Sequence, residues 1–281
     1  MSDHSHHSHG HDGHPHPDHA SAHQHAAHHA ATAISNTGGS DFTSHNRAHW
    51  DSMAKSYTSQ PWQKDIVTRV TAFLQSNLEF LGLPTSTQVP HEPRVRVLDY
   101  ACGPGTVTFA LAGHADEFVG LDLSDGMVAE YNSRAQREGL DIAHATQADL
   151  LSKDEDTMAK TTASFSGPEH HDFDLAIVGL GFHHFEDLPH ATKILADRLK
   201  PGGTLAIVDL MSHEMEDNPT NIKKIVAHAG FGQETVKKLF EEAGGLVDVD
   251  WTPMEGEIMI AGKNPRRVFL ARGRKPGREK L

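Results

Sequence analysis

Residues 95–111 read VRVLDYACGPGTVTFAL, and this stretch decides the fold. An apolar run ending near Asp99 has the length and composition of a buried strand. A tight turn holding Gly103 and Gly105 follows, and a helix opens immediately after it. Glycine in such a turn adopts backbone angles barred to other residues and lets a ligand approach the chain closely. Open α/β sheets bind ligands at the carboxyl edge of their strands, which is where this turn sits.

Two classes of nucleotide ligand use a turn of this kind. A dinucleotide fingerprint calls for a third glycine or alanine three residues after the second, where pyrophosphate meets the helix. Thr108 stands at that position. Asp99, at the end of the strand, is unfavourable beside a pyrophosphate and favourable beside a cationic sulfonium and its amino group.

Downstream, short apolar runs alternate with helical stretches, the pattern of a parallel sheet covered by helices on both faces. The spacing predicts strands at Val95–Tyr100, Glu117–Leu121, Ile142–Gln147, Leu175–Gly179 and Thr204–Asp209. Helices are expected at Thr106–Ala112, Asp125–Glu138 and Leu188–Leu199, ended by turn residues such as Gly139 and the KPGG run at 200–203. A further helix over Glu234–Ala243 precedes two last strands, Val247–Trp251 and Val268–Ala271. These close the sheet as an antiparallel edge, with Ile258–Ala261 as a further contributor. Upstream, Trp50, Met53, Ala54 and Tyr57 recur at helical spacing, and Ile66, Val70, Phe73, Leu74, Leu78 and Leu81 form one long apolar stripe after Pro61. Residues 152–172, SKDEDTMAKTTASFSGPEHHD, are acidic and poor in large apolar side chains, and read as a flexible insertion loop.

Two more acids fall where a nucleoside needs them. Asp122 closes the second strand in FVGLDLSDGM and suits an acceptor for both ribose hydroxyls. Its simpler reading is a loop carboxylate that helps to start the helix after Ser124. Asp149 follows the third strand in HATQADLL and suits the adenine amino group; its simpler reading is a solvated turn.

Together, DYACGPG, GLDLSDGM, QADLL, FDLAIVGLGFHHF and LKPGGTLAIVDL resemble the class I S-adenosylmethionine-dependent methyltransferase family, from about Thr43 to Ala271. The resemblance implies a Rossmann-like α/β three-layer sandwich with a mostly parallel seven-stranded sheet, one strand antiparallel. It also implies S-adenosylmethionine bound across the ends of the first four strands. On that footing Asp99, Ala101, Gly103 and Gly105 hold the methionine part, Asp122 with Leu123 and Met127 the ribose side, and Ala148, Asp149 and Leu150 the adenine side. Gly179, Leu180 and Gly181 line cofactor and acceptor. The run RAHWDSMAKSYTSQPW resembles the lid helix of small-molecule methyltransferases, which makes Tyr57 and Trp50 candidate cofactor contacts. A core-facing stripe is the alternative for both.

Methyl transfer from a sulfonium mainly requires alignment, and a base only where the nucleophile must lose a proton. His183 and His184, just beyond the fourth strand, are the candidate catalytic residues. His213 and His228, with Phe231, fall in a segment expected to wall the acceptor pocket. No acidic tetrad, Asn-Pro-Pro-Tyr-type motif or nucleic-acid module is present, so a small-molecule acceptor is expected.

Composition bounds the rest. Half of the 24 histidines precede Ala30 in a stretch without apolar periodicity, and such a stretch is expected to be disordered. His4, His6, His7, His9 and His11 there are candidate ligands for zinc, nickel or copper. A single cysteine, Cys102, argues for a reducing compartment. No apolar run approaches the roughly 18 residues of a membrane span, so no membrane insertion is expected. A net charge of -13 disfavours nucleic-acid binding by the body of the chain. The basic end, RRVFLARGRKPGREK, is read as a solvated last strand and tail. The expected organisation is a His-rich tail and linker over 1–42, a catalytic domain over 43–272 and a basic tail over 273–281, in the cytoplasm, with the nucleus as a second compartment. The run at 183–203 and the His-rich extension are also similar to fungal methyltransferase-like proteins, including those associated with velvet regulators. That similarity implies, as the alternative function, a regulatory subunit acting on or through a protein partner or in a heterodimer.

Overall fold

The computed structural model describes residues 39–57, 59–213 and 224–277. The His-rich tail, including His4, His6, His7, His9 and His11, lies outside the described residues. Helix α1 spans Gly39–Met53 and continues as a 3-10 turn, Ala54–Ser56. It begins earlier than expected and takes up the end of the stretch read as linker. Helices α2 (Pro61–Gln75) and α3 (Leu78–Leu81) follow, and the expected single stripe is broken at Ser76 and Asn77.

The central region is β1 (Arg96–Tyr100), α4 (Thr106–Leu111), β2 (Glu117–Asp122), α5 (Asp125–Glu138), β3 (Ala143–Gln147), α6 (Glu155–Phe165), β4 (Phe173–Gly179), α7 (Leu188–Asp197) and β5 (Leu199–Leu210). After β5 come α8 (Gln233–Lys238), which runs on as one π-helical turn, then β6 (Val247–Pro253), β7 (Ile258–Ile260), β8 (Asn264–Arg266) and β9 (Val268–Arg274).

The seven-stranded sheet has the order β3-β2-β1-β4-β5-β9-β6. Strands β1 to β5 pair in parallel and β9 runs antiparallel to both neighbours. From β1 the chain first winds outward through β2 and β3, then returns to β4 on the other side. The switch in direction therefore falls between β1 and β4, where such sheets form a crevice beyond their carboxyl ends.

Alternation along the strands fills both faces. Leu175 and Ile177 of β4 pack with Ile66, Val70 and Leu74 of α2, while Ala176 and Val178 pack with Leu195 of α7 and Phe240 behind α8. Successive strand side chains point to opposite faces, so a strand covered on both sides reads as a continuous apolar run. Helix ends follow local chemistry. The Ser124 hydroxyl caps α5 by accepting from Met127 N at 3.1 Å, and Gly139 at φ 67° closes that helix.

Four expectations are corrected. The acidic stretch after Leu151 contains α6, because Asp154 caps it by accepting from Thr157 N (2.9 Å), two acids occupy its first turn and Phe165 anchors its end in the core. Ile258–Ile260 pairs with Asn264–Arg266 as a separate hairpin rather than joining the main sheet. Strand β5 starts at Leu199, so the KPGG run belongs to its beginning. Strand β9 continues to Arg274, into the stretch expected as a basic tail, since Gly273 and Arg274 pair with Leu205 and Thr204.

Candidate active site

The turn after β1 is built from two glycines with different tasks. Gly103 has φ 50°, and a side chain added there would meet nothing within 4 Å. It is the open side of the turn. Gly105 has φ 86°, and an added Cβ would lie 2.6 Å from the Phe109 ring and 3.0 Å from Tyr131. That glycine is required by packing beneath the turn rather than by a ligand.

Asp99 is fully buried. Its Oδ2 accepts from Thr108 Oγ1 (2.8 Å) and Thr108 N (3.2 Å), and Tyr131 donates to the same Thr108 hydroxyl at 2.9 Å. Asp99 Oδ1 is buried with no partner. Burial pushes this carboxyl up to about 7, the Thr108 hydrogen bonds oppose the rise and the Asp122 charge adds to it. Thr108, the residue that departs from the dinucleotide fingerprint, is thus committed to a buried polar chain.

Asp122 ends β2 and ties the two loops together. Its Oδ2 accepts from Gly103 N at 2.8 Å and its Oδ1 from Ser124 N at 2.9 Å. Burial raises its pKa and these backbone donors partly counter the rise. Each carboxylate oxygen retains a lone pair beyond the one it uses. Half-buried Asp149, one strand further out, accepts from Leu151 N at 3.2 Å. Burial raises its pKa, while the Leu151 N–H and the charge of Arg47 lower it.

Helix α1 roofs this edge. Arg47 Nε donates to Leu123 O at 3.1 Å. Asp51 accepts from Ser124 Oγ at 2.6 Å and from Gly126 N at 3.0 Å. The phenol of Tyr57 has its pKa raised by burial and then by the charge of Asp122. Trp50 stands edge-on to His184, ring centroids 5.2 Å apart, and to Tyr57 at 6.2 Å. Both expected lid aromatics therefore face the site rather than the main core.

On the other side of the switch point, Ala101 (φ 56°) and Leu180 (φ 55°) hold left-handed backbone at the ends of β1 and β4. Such conformations cost about 1–2 kcal/mol in a residue with a side chain, and they persist where surrounding structure fixes them. The two turns abut, since a Cβ on Gly181 would lie 3.1 Å from that of Ala101. Gly179 packs against Val107, where an added Cβ would be 2.4 Å from the valine methyl.

His183 and His184 follow on a 3-10 turn, with rings 4.1 Å apart. His183 Nδ1 lies 2.7 Å from Oδ1 of Asp209, a wholly buried acid near the end of β5. Asp209 Oδ2 also accepts from His183 N at 3.1 Å. His184 Nδ1 contacts the Ile225 carbonyl. Part of His184 meets solvent, yet protein crowds its ring. Burial, and then the neighbouring His183, push its pKa down to about 3. His228 Nε2 lies 3.0 Å from Phe185 O, and Phe231 joins the ring cluster with Phe182 and His228. The ring of His213 contacts the Met211 carbonyl, Nδ1 to oxygen 3.2 Å.

Tyr57, Ala101, Gly103, Asp122, Leu123 and Asp149 thus gather around one edge of the sheet. Met127 and Leu150 are buried beneath it, as are Asp99 and Gly105 in their packing roles, while Gly179 is partly buried against Val107. Arg47, Asp51 and Asp209 were not read from sequence. Asp209 carries a signal that was available: like Asp99 and Asp122, it is an acid near the carboxyl end of a buried parallel strand. Among the described residues no cluster of three or more His, Cys, Asp or Glu is placed to hold a metal ion.

A parallel sheet switching direction beside a glycine turn, with acids at the tips of neighbouring strands and an antiparallel β9 between β5 and β6, is a Rossmann-like architecture with a site suited to a nucleoside ligand. A family profile described as a methyltransferase domain matches residues 91–244, and the chain belongs to that family of class I S-adenosylmethionine-dependent methyltransferases. An uncharacterized methyltransferase of Schizosaccharomyces pombe is 29% identical over 153 residues, 52% of each chain. A 2-phytyl-1,4-naphtoquinone methyltransferase of Synechococcus elongatus is 31% identical over 122 residues, 42% of this chain and 47% of that one. The chain spans about half the length of these curated relatives. Among solved structures, the N-methyltransferase NodS of Bradyrhizobium japonicum, in complex with S-adenosyl-L-homocysteine, aligns with a TM-score of 0.53 at 18% identity. The alignment covers 82% of this chain and 99% of that one, and it shows the shared fold.

Proposed function

We propose that this protein transfers a methyl group from S-adenosylmethionine to a small-molecule acceptor held beneath α1. The observation that carries the reading is Asp122. It is a buried carboxylate at the tip of β2, fixed by Gly103 N and Ser124 N, with lone pairs left over and Tyr57 above it. The remaining surroundings fit the same cofactor. Gly103 leaves open space, and Asp99 Oδ1 is an unpartnered buried acceptor on the strand that would lie beneath a sulfonium and its ammonium group.

When bound, the sulfonium supplies an activated methyl group. The chain's own residues then have three tasks. Asp122 binds the ribose hydroxyls, and Asp149 with Ala148 and Leu150 borders the adenine. The turn Ala101–Gly105 supports the methionine end, and α1 with Trp50 and Tyr57 excludes water and restricts the acceptor. Positioning of this kind supplies effective molarities on the order of 10⁵ M or more. A relative acting on a naphthoquinone supports a small acceptor for this chain. No described helix is long and apolar enough to cross a membrane.

The tail is a separate proposal: its histidines bind divalent metal without affecting the cofactor site, and the chain works in the cytoplasm or nucleus. Calorimetric titration with S-adenosylmethionine, joined to a screen of acceptors for S-adenosylhomocysteine production, tests the main reading. Absence of cofactor binding would sink it. Deleting residues 1–37 should leave cofactor affinity unchanged and remove zinc binding.

A further inference from the structure

Leu123 follows Asp122 and precedes Ser124, and its carbonyl is held from two sides. Gln147, at the tip of β3 and opposite Asp122 in the strand register, donates to it from Nε2 at 3.2 Å. Arg47 of α1 donates to the same oxygen from Nε at 3.1 Å. The bond from Gln147 alone satisfies the carbonyl. One turn further along α1, Asp51 fastens the helix to this loop through Ser124 Oγ and Gly126 N. The docking of α1 therefore has its own hydrogen bonds, and the bond to Leu123 O uses one of the five N–H donors of the Arg47 guanidinium. Arg47 is exposed, yet its charge reaches the site. Burial raises the pKa of Asp149, and after the Leu151 N–H the charge of Arg47 is what opposes the rise. Among the described residues no hydrogen bond joins the two side chains. The cation thus stands near the adenine-side acid, against the loop that follows the ribose acid.

Resting on the methyl-transfer reading above, we propose that Arg47 is a cofactor-binding residue carried by α1, its guanidinium lying against the face of the adenine. A nucleoside whose ribose hydroxyls meet Asp122 and whose amino group meets Asp149 has its base between the tips of β2 and β3. Leu123 and Gln147 stand there, and Arg47 is tied to the first of them. A guanidinium is planar, always charged and weakly hydrated, and it stacks on aromatic faces. The bond to Leu123 O tethers one edge of the group, and its flat face serves the base. An ammonium is a compact point charge without such a face, so lysine is no equivalent here. The same contact links the roof to the cofactor: a bound nucleoside adds to the hold on α1, and by reciprocity a docked α1 tightens the nucleoside.

The test uses S-adenosylhomocysteine and the full-length protein labelled with ¹³C and ¹⁵N in its arginines. The Nε–H signal of Arg47, identified by its loss in Arg47→Lys, should move upfield under the ring current of the bound base. Isotope-edited spectra should show its δ-methylene in contact with H2 or H8 of the adenine. By calorimetry, Arg47→Met should bind about 5- to 30-fold more weakly than the wild type, the range of a partly desolvated cation–π contact. Arg47→Lys keeps the charge without the plane and should remain at least about threefold weaker. Trypsin cleavage after Lys55 reads the link to the roof: the ligand should slow it in the wild type and slow it less in Arg47→Met. The assignment is overturned if the wild type binds the ligand with no contact between Arg47 and the adenine. It is overturned equally if Arg47→Lys binds as tightly as the wild type, because charge alone would then suffice. Failure of the wild type to bind S-adenosylhomocysteine at all would instead remove the methyl-transfer reading, and this assignment with it.

Discussion

Asp51 of α1 accepts a 2.6 Å hydrogen bond from the hydroxyl of Ser124, the residue that caps α5. Ser124 therefore serves both the helix and the roof over the site. The approach is close: a Cβ on Gly126 would lie 3.1 Å from that of Ala54 and 3.2 Å from Asp51 O. Hydrogen bonding to Ser124 is the first cause of the lowered pKa of Asp51.

Asp51→Ala removes two acceptor contacts between α1 and α5 and should weaken their docking by about 0.5–1.5 kcal/mol. Limited trypsin digestion should then cut at Arg47 or Lys55 several-fold faster, with little change in the rest of the fold. Cleavage at the wild-type rate would show that other contacts hold α1.

Asp122→Ala removes the proposed ribose acceptor together with the tie between Gly103 and Ser124. Charge-assisted hydrogen bonds contribute about 1.5–3 kcal/mol, so S-adenosylmethionine affinity should fall by roughly 10- to 150-fold. Calorimetry checks this, and equal affinity for the two proteins would remove Asp122 from the site.

Gly105→Ala and Gly139→Ala separate backbone strain from packing. Both glycines have positive φ, but only Gly105 is enclosed by Phe109 and by the wholly buried Tyr131. Gly139→Ala should cost only the strain, about 1–2 kcal/mol. Gly105→Ala should cost at least about 1–3 kcal/mol more, as overpacking does. Denaturant melts of the two variants give the comparison, and equal losses would contradict the packing role of Gly105.

Asp99 predicts a pH effect. Its folded pKa, about 7, lies above its ordinary value of 3.8. Between these values the folded chain holds a proton that the unfolded chain has released. The stability from this group is therefore fully present below about pH 4 and lost as pH rises through 7, with a slope of at most about 1.4 kcal/mol per unit. His184, lowered to about 3 from 6.5, has the opposite slope between those values, because the unfolded chain then binds the extra proton. Asp99→Asn should remove only the first effect. The variant's stability relative to wild type should rise from pH 4 to pH 8, as read by chemical denaturation, and a difference that does not vary with pH would refute the shift.

Much of this architecture was legible because local and long-range preferences agree. Val97, Leu98, Ile177 and Val178 form apolar runs that suit a strand covered on both faces, and Gly139 ends its helix where the periodicity stops. The reading failed where a few residues outweighed composition. Asp154 and Phe165 fix α6 at its two ends within an otherwise polar stretch. The hairpin of Ile258–Ile260 and Asn264–Arg266 satisfies its backbone within itself rather than in the main sheet.

At the site, the sequence by itself determined the chemistry on offer: a glycine turn, acids near strand ends, and paired histidines beyond β4. These follow from residue type and strand periodicity, which are properties of short segments. Only the tertiary structure decided which groups share work. It turned Asp99 toward Thr108, set Asp51 on Ser124, distinguished Gly103 from Gly105, and gave His183 a carboxylate while leaving His184 neutral under Trp50. Hydrogen bonds and burial act over a few ångströms, and the partners here lie as far apart in sequence as Asp51 and Ser124, so their pairing exists only once the sheet is assembled.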